Sequence, residues 1–404
     1  MLAQTCCRAA IAWLALSLLG AAALGSPGTP QSPVAPKMDH GASGITHKAG
    51  KGIKFTAANG NTLSLRPRVM MLYQRDMPDG GQAQHALTIR RARLVIKHGY
   101  KRLHLSSKLE IAMSSRDLRL SGGHPRQTPI LTWSVAWQKH RDVRVKIGQF
   151  KLGYSRQRVI SSGNQQLVDR SAVQGEFTLD RDIGVELFSR DLAGLQKLRY
   201  VLGAYNGEGR DVYKLSSSGP LVVGRLELLP FGMFDDYKEA DLKRHKDLKL
   251  VLAAGFAKMN GAAKDKGVIG NVPADGGTTD HTMMTADLSA KWRGLSLSFE
   301  AHSRTSTREA AVKDDPKHTA GRSGWGMFST VGYLLPFDHD VEIAARYGKI
   351  TAIKDSSLRD LQEIGGGLSW YLSGHANKLQ ADVFQITTGG ATELRVRLQF
   401  QASL

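Results

Sequence analysis

Arginine and lysine recur at alternate positions in several short stretches of this chain. The pairs and triplets are Arg66 and Arg68; Arg91, Arg93 and Lys97; Arg144 and Lys146; Lys291 and Arg293; and Arg395 and Arg397, with Arg346 alone in a similar stretch. Cations in such a pattern could hold and pass oxyanions. A guanidinium offers a planar fork of donors that matches a tetrahedral oxyanion, and successive sites let an ion hop rather than stick. Arg156 and Arg158 open a second kind of candidate, a polar stretch with Tyr154, Ser161, Ser162, Gly163, Asn164, Gln165, Gln166, Asp169 and Arg170. That stretch is either a loop folded into a lumen, narrowing it, or an external loop; the sequence leaves both open. Acidic residues at matching positions are fewer: Glu186, Asp287, Glu300, Glu342 and Asp382. The expected sum is positive. The plainer alternative is that the cations pair with carboxylates on neighbouring strands or with lipopolysaccharide phosphates at a rim.

Other chemistries find little support. There is no His-Glu-x-x-His, Gly-x-Ser-x-Gly or EF-hand pattern. Gly44 to Lys51 resembles a phosphate loop but has one residue too many before Gly50-Lys51, ends on Gly52 and follows no strand. Asp180 and Asp182 flank Arg181 at a strand start, which suits structural hydrogen bonding better than acid/base work. His98, His104, His302 and His375 lack metal-ligand spacing. No enzyme, cofactor or metal is expected. Cys6 and Cys7 are the only cysteines, so the rest of the chain can form no disulfide. The chain carries 55 Lys and Arg against 36 Asp and Glu, a formal charge of +19. A chain this basic attracts anions.

Three segments position these residues. Residues 1–25 read as a secretory signal: Arg8, then an apolar run from Ala9 to Leu24, then Ala23-Leu24-Gly25 as a cleavage site. Residues 26–52 read as a flexible linker with Pro27, Pro30, Pro33 and Pro36, Lys37, Lys48 and Lys51, and solvated His40 and His47. From residue 53 to 404, stretches of about 7–11 residues alternate apolar and polar, the period of a half-buried strand. Leu63, Leu65, Val69 and Met71 alternate with Ser64, Arg66, Arg68 and Met70; Leu394, Val396, Leu398 and Phe400 alternate with Arg395, Arg397 and Gln399. No later apolar run is long enough for a membrane helix. The pattern predicts an all-β protein: a transmembrane antiparallel β-barrel with its apolar face in lipid and every edge paired. A charge facing lipid at mid-membrane costs about 2–4 kcal/mol, so the basic sets should face water. In 89–97 this places Arg91, Arg93 and Lys97 inside. Arg90 falls with Ala92, Leu94 and Ile96 on the lipid side, near a strand end where it can snorkel.

The connectors are asymmetric. Leu335-Pro336-Phe337-Asp338 and Pro230-Phe231-Gly232 read as tight turns, whereas 206–219, 259–281 and 303–323 are long and polar. Short periplasmic turns and long extracellular loops are the outer-membrane arrangement. At about 20–24 residues per strand and connector, roughly 14 to 18 strands fit, with 16 the central value. Tyr73, Trp133, Trp137, Tyr154, Tyr205, Trp292, Tyr333, Phe337, Trp370 and Tyr371 supply the interfacial aromatics.

Five stretches resemble, in order, the phosphate-selective porin O/P family: Arg-Arg-Ala-Arg-Leu at 90–94, Gly-Gln-Phe-Lys-Leu-Gly-Tyr-Ser-Arg-Gln-Arg at 148–158, Asp-Arg-Asp-Ile-Gly-Val at 180–185, Gly-Tyr-Leu-Leu-Pro-Phe at 332–337 and Gly-His-Ala-Asn-Lys-Leu-Gln-Ala-Asp at 374–382. Gly153 stands where the pattern has proline, and the chain ends on Leu404 rather than an aromatic. The resemblance implies a homotrimer of 16-stranded barrels in the Gram-negative outer membrane, passing small anions such as phosphate or pyrophosphate. The expected partners are phosphate, chloride, membrane lipid and lipopolysaccharide, and not nucleic acid. The competing reading is a non-conducting surface barrel that binds acidic polysaccharide or lipopolysaccharide.

Overall fold

The computed structural model describes residues 44–404 apart from 119, 122, 123, 126, 127 and 213–218. The expected signal at 1–25 and linker residues 26–43 lie outside the described residues. Sixteen antiparallel strands follow one another around a barrel. They are β1 (Thr62–Pro78), β2 (Gln84–Tyr100), β3 (Leu105–Ala112), β4 (Ile130–Trp137), β5 (Arg144–Lys151), β6 (Arg181–Ser189), β7 (Leu198–Tyr205) and β8 (Leu221–Leu228), then β9 (Lys249–Ala262), β10 (Thr278–Trp292), β11 (Leu295–Glu309), β12 (Gly324–Leu334), β13 (Val341–Ala352), β14 (Leu361–His375), β15 (Asn377–Thr388) and β16 (Ala391–Ser403). Pairing of β16 with β1, from Glu393 opposite Pro78 to Ser403 opposite Arg68, closes the sheet. Closure is what makes strands viable in lipid, because no row of backbone donors is left unpaired. Gly44–Lys48 and Gly52–Thr56 form a short hairpin whose second strand pairs with Thr62–Leu65 of β1. Part of the segment that composition assigns to a linker therefore extends the sheet.

The alternation divides each strand as expected. Val69, Met71 and Tyr73 of β1 and Leu394, Leu398 and Phe400 of β16 are exposed on the outer wall, while Arg397, Gln399 and Gln401 are buried inside. The polar side is the interior, the inverse of a soluble core. Of the expected girdle aromatics, Trp133, Trp292, Tyr333, Phe337 and Trp370 are exposed. Tyr154, Tyr205 and Tyr371 are buried and so are corrections to that set: Tyr154 lies in a connector, and the other two occupy inward positions of β7 and β14.

Short turns share one rim and long loops the other, apart from the five-residue turn 79–83 on the long-loop rim and two further exceptions. Gly389 and Gly390 make a two-residue turn on the long-loop rim, both at positive φ, as the tight hairpin geometry requires. On the short-turn rim, residues 229–248 form a long connector between β8 and β9. Pro230-Phe231-Gly232 is only its first turn, with Gly232 N–H donating to Leu229 O at 3.0 Å. Among the described residues no helix is long and apolar enough to cross a membrane.

Candidate functional site

The connector 152–180, between β5 and β6, folds inward. Its apolar residues dock against the inner face of the later strands. Val173 and Phe177 pack with Phe328, Ile350 and Leu358, and Leu167 packs with Ala344 and Phe384. Tyr154 and Leu179 join a cluster with Tyr205, Val223, Met259 and Met283. Each such side chain contributes about 1.5–3 kcal/mol. Carboxylates on the same wall read the connector's backbone. Asp382 accepts from Val168 N–H at 3.0 Å, Glu363 from Ala172 N–H at 3.1 Å, and Glu300 from Gln157 N–H. Of the two positions left open by the sequence, the inward one is observed.

From the opposite rim the 229–248 connector rises to meet it. Glu239 N–H donates to Asn164 O at 2.9 Å, Gln166 N–H to the Glu239 carboxylate at 2.9 Å, and Asn164 Nδ2 to Tyr237 O at 3.2 Å. Arg156 ties the two connectors to the wall. It reaches Asp236 at 2.6 Å, Asp287 at 2.7 Å and Glu227 at 3.1 Å, and is itself 2% exposed. Arg199 and Arg225 share the same three carboxylates. This assembly covers the side of the lumen built by β7–β15. Six buried carboxylates project there: Glu227, Asp287, Glu300, Glu342, Glu363 and Asp382, against Glu110, Asp182 and Glu186 from β1–β6.

The charge balance is different where the inward connector faces the first strands. A cavity of about 560 Å³ lies there, lined by eleven Arg and Lys side chains and four Asp and Glu. The cations are Arg91, Arg93, Arg116, Lys151, Arg158, Arg170, Arg181, Arg210, Lys264, Arg395 and Arg397; the anions are Asp117, Asp169, Asp180 and Glu363. Several of these cations are already matched. Arg93 holds Asp117 at 2.7 Å and Glu110 at 3.2 Å; Arg158 holds Asp180; Arg397 holds Asp382 at 2.7 Å; Arg395 holds Asp76 at 2.8 Å and Glu393 at 2.6 Å. Three are not. Lys151 donates to Arg158 O at 2.7 Å, Arg170 to Ile160 O at 2.6 Å and Gln157 O at 2.8 Å, and Arg91 only to the Met70 sulfur at 3.7 Å. None of these three has a carboxylate within ion-pair range among the described residues. Burial, and then the neighbouring Arg158, bring Arg170 down to about 9, which leaves it charged at neutral pH. Burial acts against ionised Asp180, but Arg158 and Arg181 outweigh it and hold that carboxyl well below its usual range.

The remaining sequence candidates are dispersed. Arg66 donates to Gly50 O at 3.4 Å, and Arg68 to Ser161 Oγ at 3.0 Å and Ser162 Oγ at 3.1 Å. Lys97 is exposed on β2. Arg144 donates to His140 O at 3.4 Å near the short-turn rim, and Lys146 pairs with Glu186 at 2.5 Å. Arg346 donates to Asp169 O at 2.9 Å. Lys291 is 2% exposed and donates to Asp235 O at 2.8 Å and Ala240 O at 3.1 Å, anchoring the rim connector. Arg293 is not on a wall: it is a turn residue at positive φ between β10 and β11, with its guanidinium over Trp292. A two-residue turn there ends the alternation one residue before Arg293.

Arg90 is a second correction. It is 1% exposed and faces inward, where it donates to Val168 O at 3.0 Å and Gln399 Oε1 at 3.2 Å and pairs with Asp169. The register shifts there: Met70 opposes Arg91 and Met71 opposes Ile89, so Arg90 is an extra residue in a bulge and both arginines turn to the lumen. Sequence reasoning included Arg170 in the inward-folding stretch but missed Lys151, Arg181 and the acidic rim connector. Lys151 and Arg181 stand at strand ends, where period two no longer fixes a face.

Residues 68–218 match the family described as phosphate-selective porin O and P. The resemblance carried by the first three motifs is thereby borne out; the last two motifs lie beyond the matched segment. No curated protein sequence matches the chain. Among solved structures, an anion-selective porin from Comamonas acidovorans is similar with a TM-score of 0.56 at 12% identity, covering 85% of this chain and 100% of that one. The outer membrane channel DcaP of Acinetobacter baumannii has a TM-score of 0.53 at 11% identity, covering 88% and 100%. OmpT of Vibrio cholerae in a trimer form has a TM-score of 0.52 at 8% identity, covering 84% and 99%. The fold is that of the outer-membrane porins.

Proposed function

We propose, from the premise that this chain is a porin of the phosphate-selective O and P family, that its lumen passes small hydrated anions by diffusion and favours phosphate-like oxyanions. One observation carries the reading: the cavity between the inward connector and the first strands holds Arg91, Lys151 and Arg170 with no carboxylate to neutralise them. Unpaired cations partly withdrawn from water are costly, and Arg91 is buried while Lys151 and Arg170 are half-buried. An anion in transit supplies the missing charge, and flanking cations already paired with carboxylates keep the site weak enough to release it. The carboxylate-rich side is covered by the two connectors, so the ion meets the basic side. The trimeric form of the Vibrio cholerae neighbour and the anion selectivity of the Comamonas one support the same picture, and the proposal places the barrel in the outer membrane, reached through an N-terminal signal.

The test is the reversal potential of refolded protein in a planar bilayer under a KCl gradient, followed by phosphate titration. Current reversing near the chloride potential and blocked by phosphate supports the proposal. Anion current without phosphate block removes the oxyanion preference. Cation current, or none, overturns the reading in favour of a non-conducting binding barrel.

A further inference from the structure

The outer wall is not uniformly studded with large side chains. Cross-strand pairing aligns Ala254 with Ala286 and Ala286 with Ala301, a floor of three methyl groups crossing β9, β10 and β11. The next outward row on one side holds Phe256 and Met284, and on the other Leu252 and Leu288. The result is an apolar trough. Two cavities of about 960 and 420 Å³ share Leu226, Ala254 and Ala286, so the trough is continuous.

Its direction follows from the register. The row runs from Leu226 of β8 through the alanines to Met327 of β12, and the next residue in the row is Lys349 of β13. Because it crosses strands at right angles, it climbs the tilted barrel. Leu226 is the third-last residue of β8, which ends on the short-turn rim, whereas Lys349 is near the end of β13 on the long-loop rim. From Leu226 to Lys349, five strand spacings give a length of about 24 Å. At a strand tilt of about 45° the drop along the membrane normal is about 17 Å, close to one leaflet of a hydrocarbon core about 30 Å thick. Lys349 is exposed on the outer wall and has no ion pair among the described residues. Lys258 lies on the same outward face of β9, beyond Phe256 towards the long-loop rim.

We propose that this trough is a lipid site: it seats one acyl chain of a phosphorylated glycolipid of the outer leaflet, whose phosphate is held by Lys349. The trough is one leaflet deep, apolar along its length and cationic at the end where an outer-leaflet headgroup lies. A second copy of the chain would need a broad complementary surface, whereas a narrow groove ending in a lysine suits a single chain with an anionic head.

The experiment uses the full barrel refolded into phosphatidylcholine vesicles containing lipid A, with bound lipid read by native mass spectrometry. Wild-type barrels should retain lipid A. Ala286→Phe, which fills the floor, should abolish retention, and Lys349→Gln should lower it about tenfold while leaving phosphatidylcholine retention unchanged. Both substitutions lie outside the lumen, so conductance should hold, and heat-modifiable migration shows that each variant has folded. If Ala286→Phe does not fold, Lys349→Gln decides alone. Equal retention in wild type and Lys349→Gln overturns the proposal. So does dissociation of an oligomer on Ala286→Phe, since the trough would then belong to a contact between copies.

Discussion

Replacing Arg156 with methionine should open the channel and weaken the anion preference proposed for it. Arg156, Arg199 and Arg225 face Glu227, Asp236 and Asp287, three charges against three, in a region almost closed to solvent. Methionine fills similar space and leaves one negative charge uncompensated. Breaking a buried ion pair by removing one partner costs about 3–5 kcal/mol. That cost falls on the docked arrangement of the two connectors, because the barrel closes through strand pairing that does not involve Arg156. A loss of about 3 kcal/mol shifts the docked-to-undocked equilibrium by roughly 150-fold. In single-channel recordings the variant should show a larger or fluctuating conductance and a reversal potential displaced towards the cation side. Adding Asp236→Asn restores the charge balance and should recover part of the wild-type behaviour. An Arg156→Met barrel with heat-modifiable migration and unchanged conductance and selectivity would refute the assignment of Arg156 as the tie between the connectors.

Three further outcomes follow from other contacts. Lys151→Gln or Arg91→Gln removes one unpaired charge; at about 4 Å from a passing ion that charge contributes about 1 kcal/mol even in water-like surroundings, so the anion-to-cation permeability ratio should fall about fivefold or more in reversal-potential measurements. Arg90→Leu should loosen the inward connector, increasing protease cleavage within 152–180; a lipid-facing Arg90 would instead leave cleavage unchanged. Glu176 is held by Arg304, Arg322 at 2.9 Å and Lys266 at 2.6 Å. Burial alone would raise its pKa, but Arg322 and Arg304 outweigh that and lower it from 4.5 to about 2. A depressed carboxylate stabilises fully above about pH 4.5 and loses that contribution, about 3 kcal/mol, as pH falls through 2. Conductance should therefore be steady from pH 7 to 4.5 and change as pH falls towards 2, whereas Glu176→Gln should show the altered conductance already at pH 7.

What could be read beforehand is governed by how local each cause is. Period two is a property of neighbouring residues, so it placed Arg66, Arg68, Arg395 and Arg397 inside and Val69, Leu398 and Phe400 outside without knowledge of the fold. A bulge is a property of two strands. Nothing in Ile89-Arg90-Arg91 announces that Met70 and Met71 skip a partner, and one inserted residue sends Arg90 to the opposite face from the one its parity indicates. Turn geometry is similarly non-local in its consequence: Arg293 continues the alternation in sequence, but Gly294 at positive φ ends the strand before it. The site's charge was least legible. Arg156 and Arg91 look alike in sequence, yet one sits among three carboxylates from β8, β10 and a connector on the far rim, and the other has a thioether for a neighbour. Those carboxylates come from positions 71 to 131 residues away in the chain. Counting cations on inward positions therefore overstates the field on one side of the lumen and misses its concentration on the other. On the proposed reading, selectivity would follow from which arginines the connectors leave unneutralised, and that depends on where 152–180 and 229–248 come to rest.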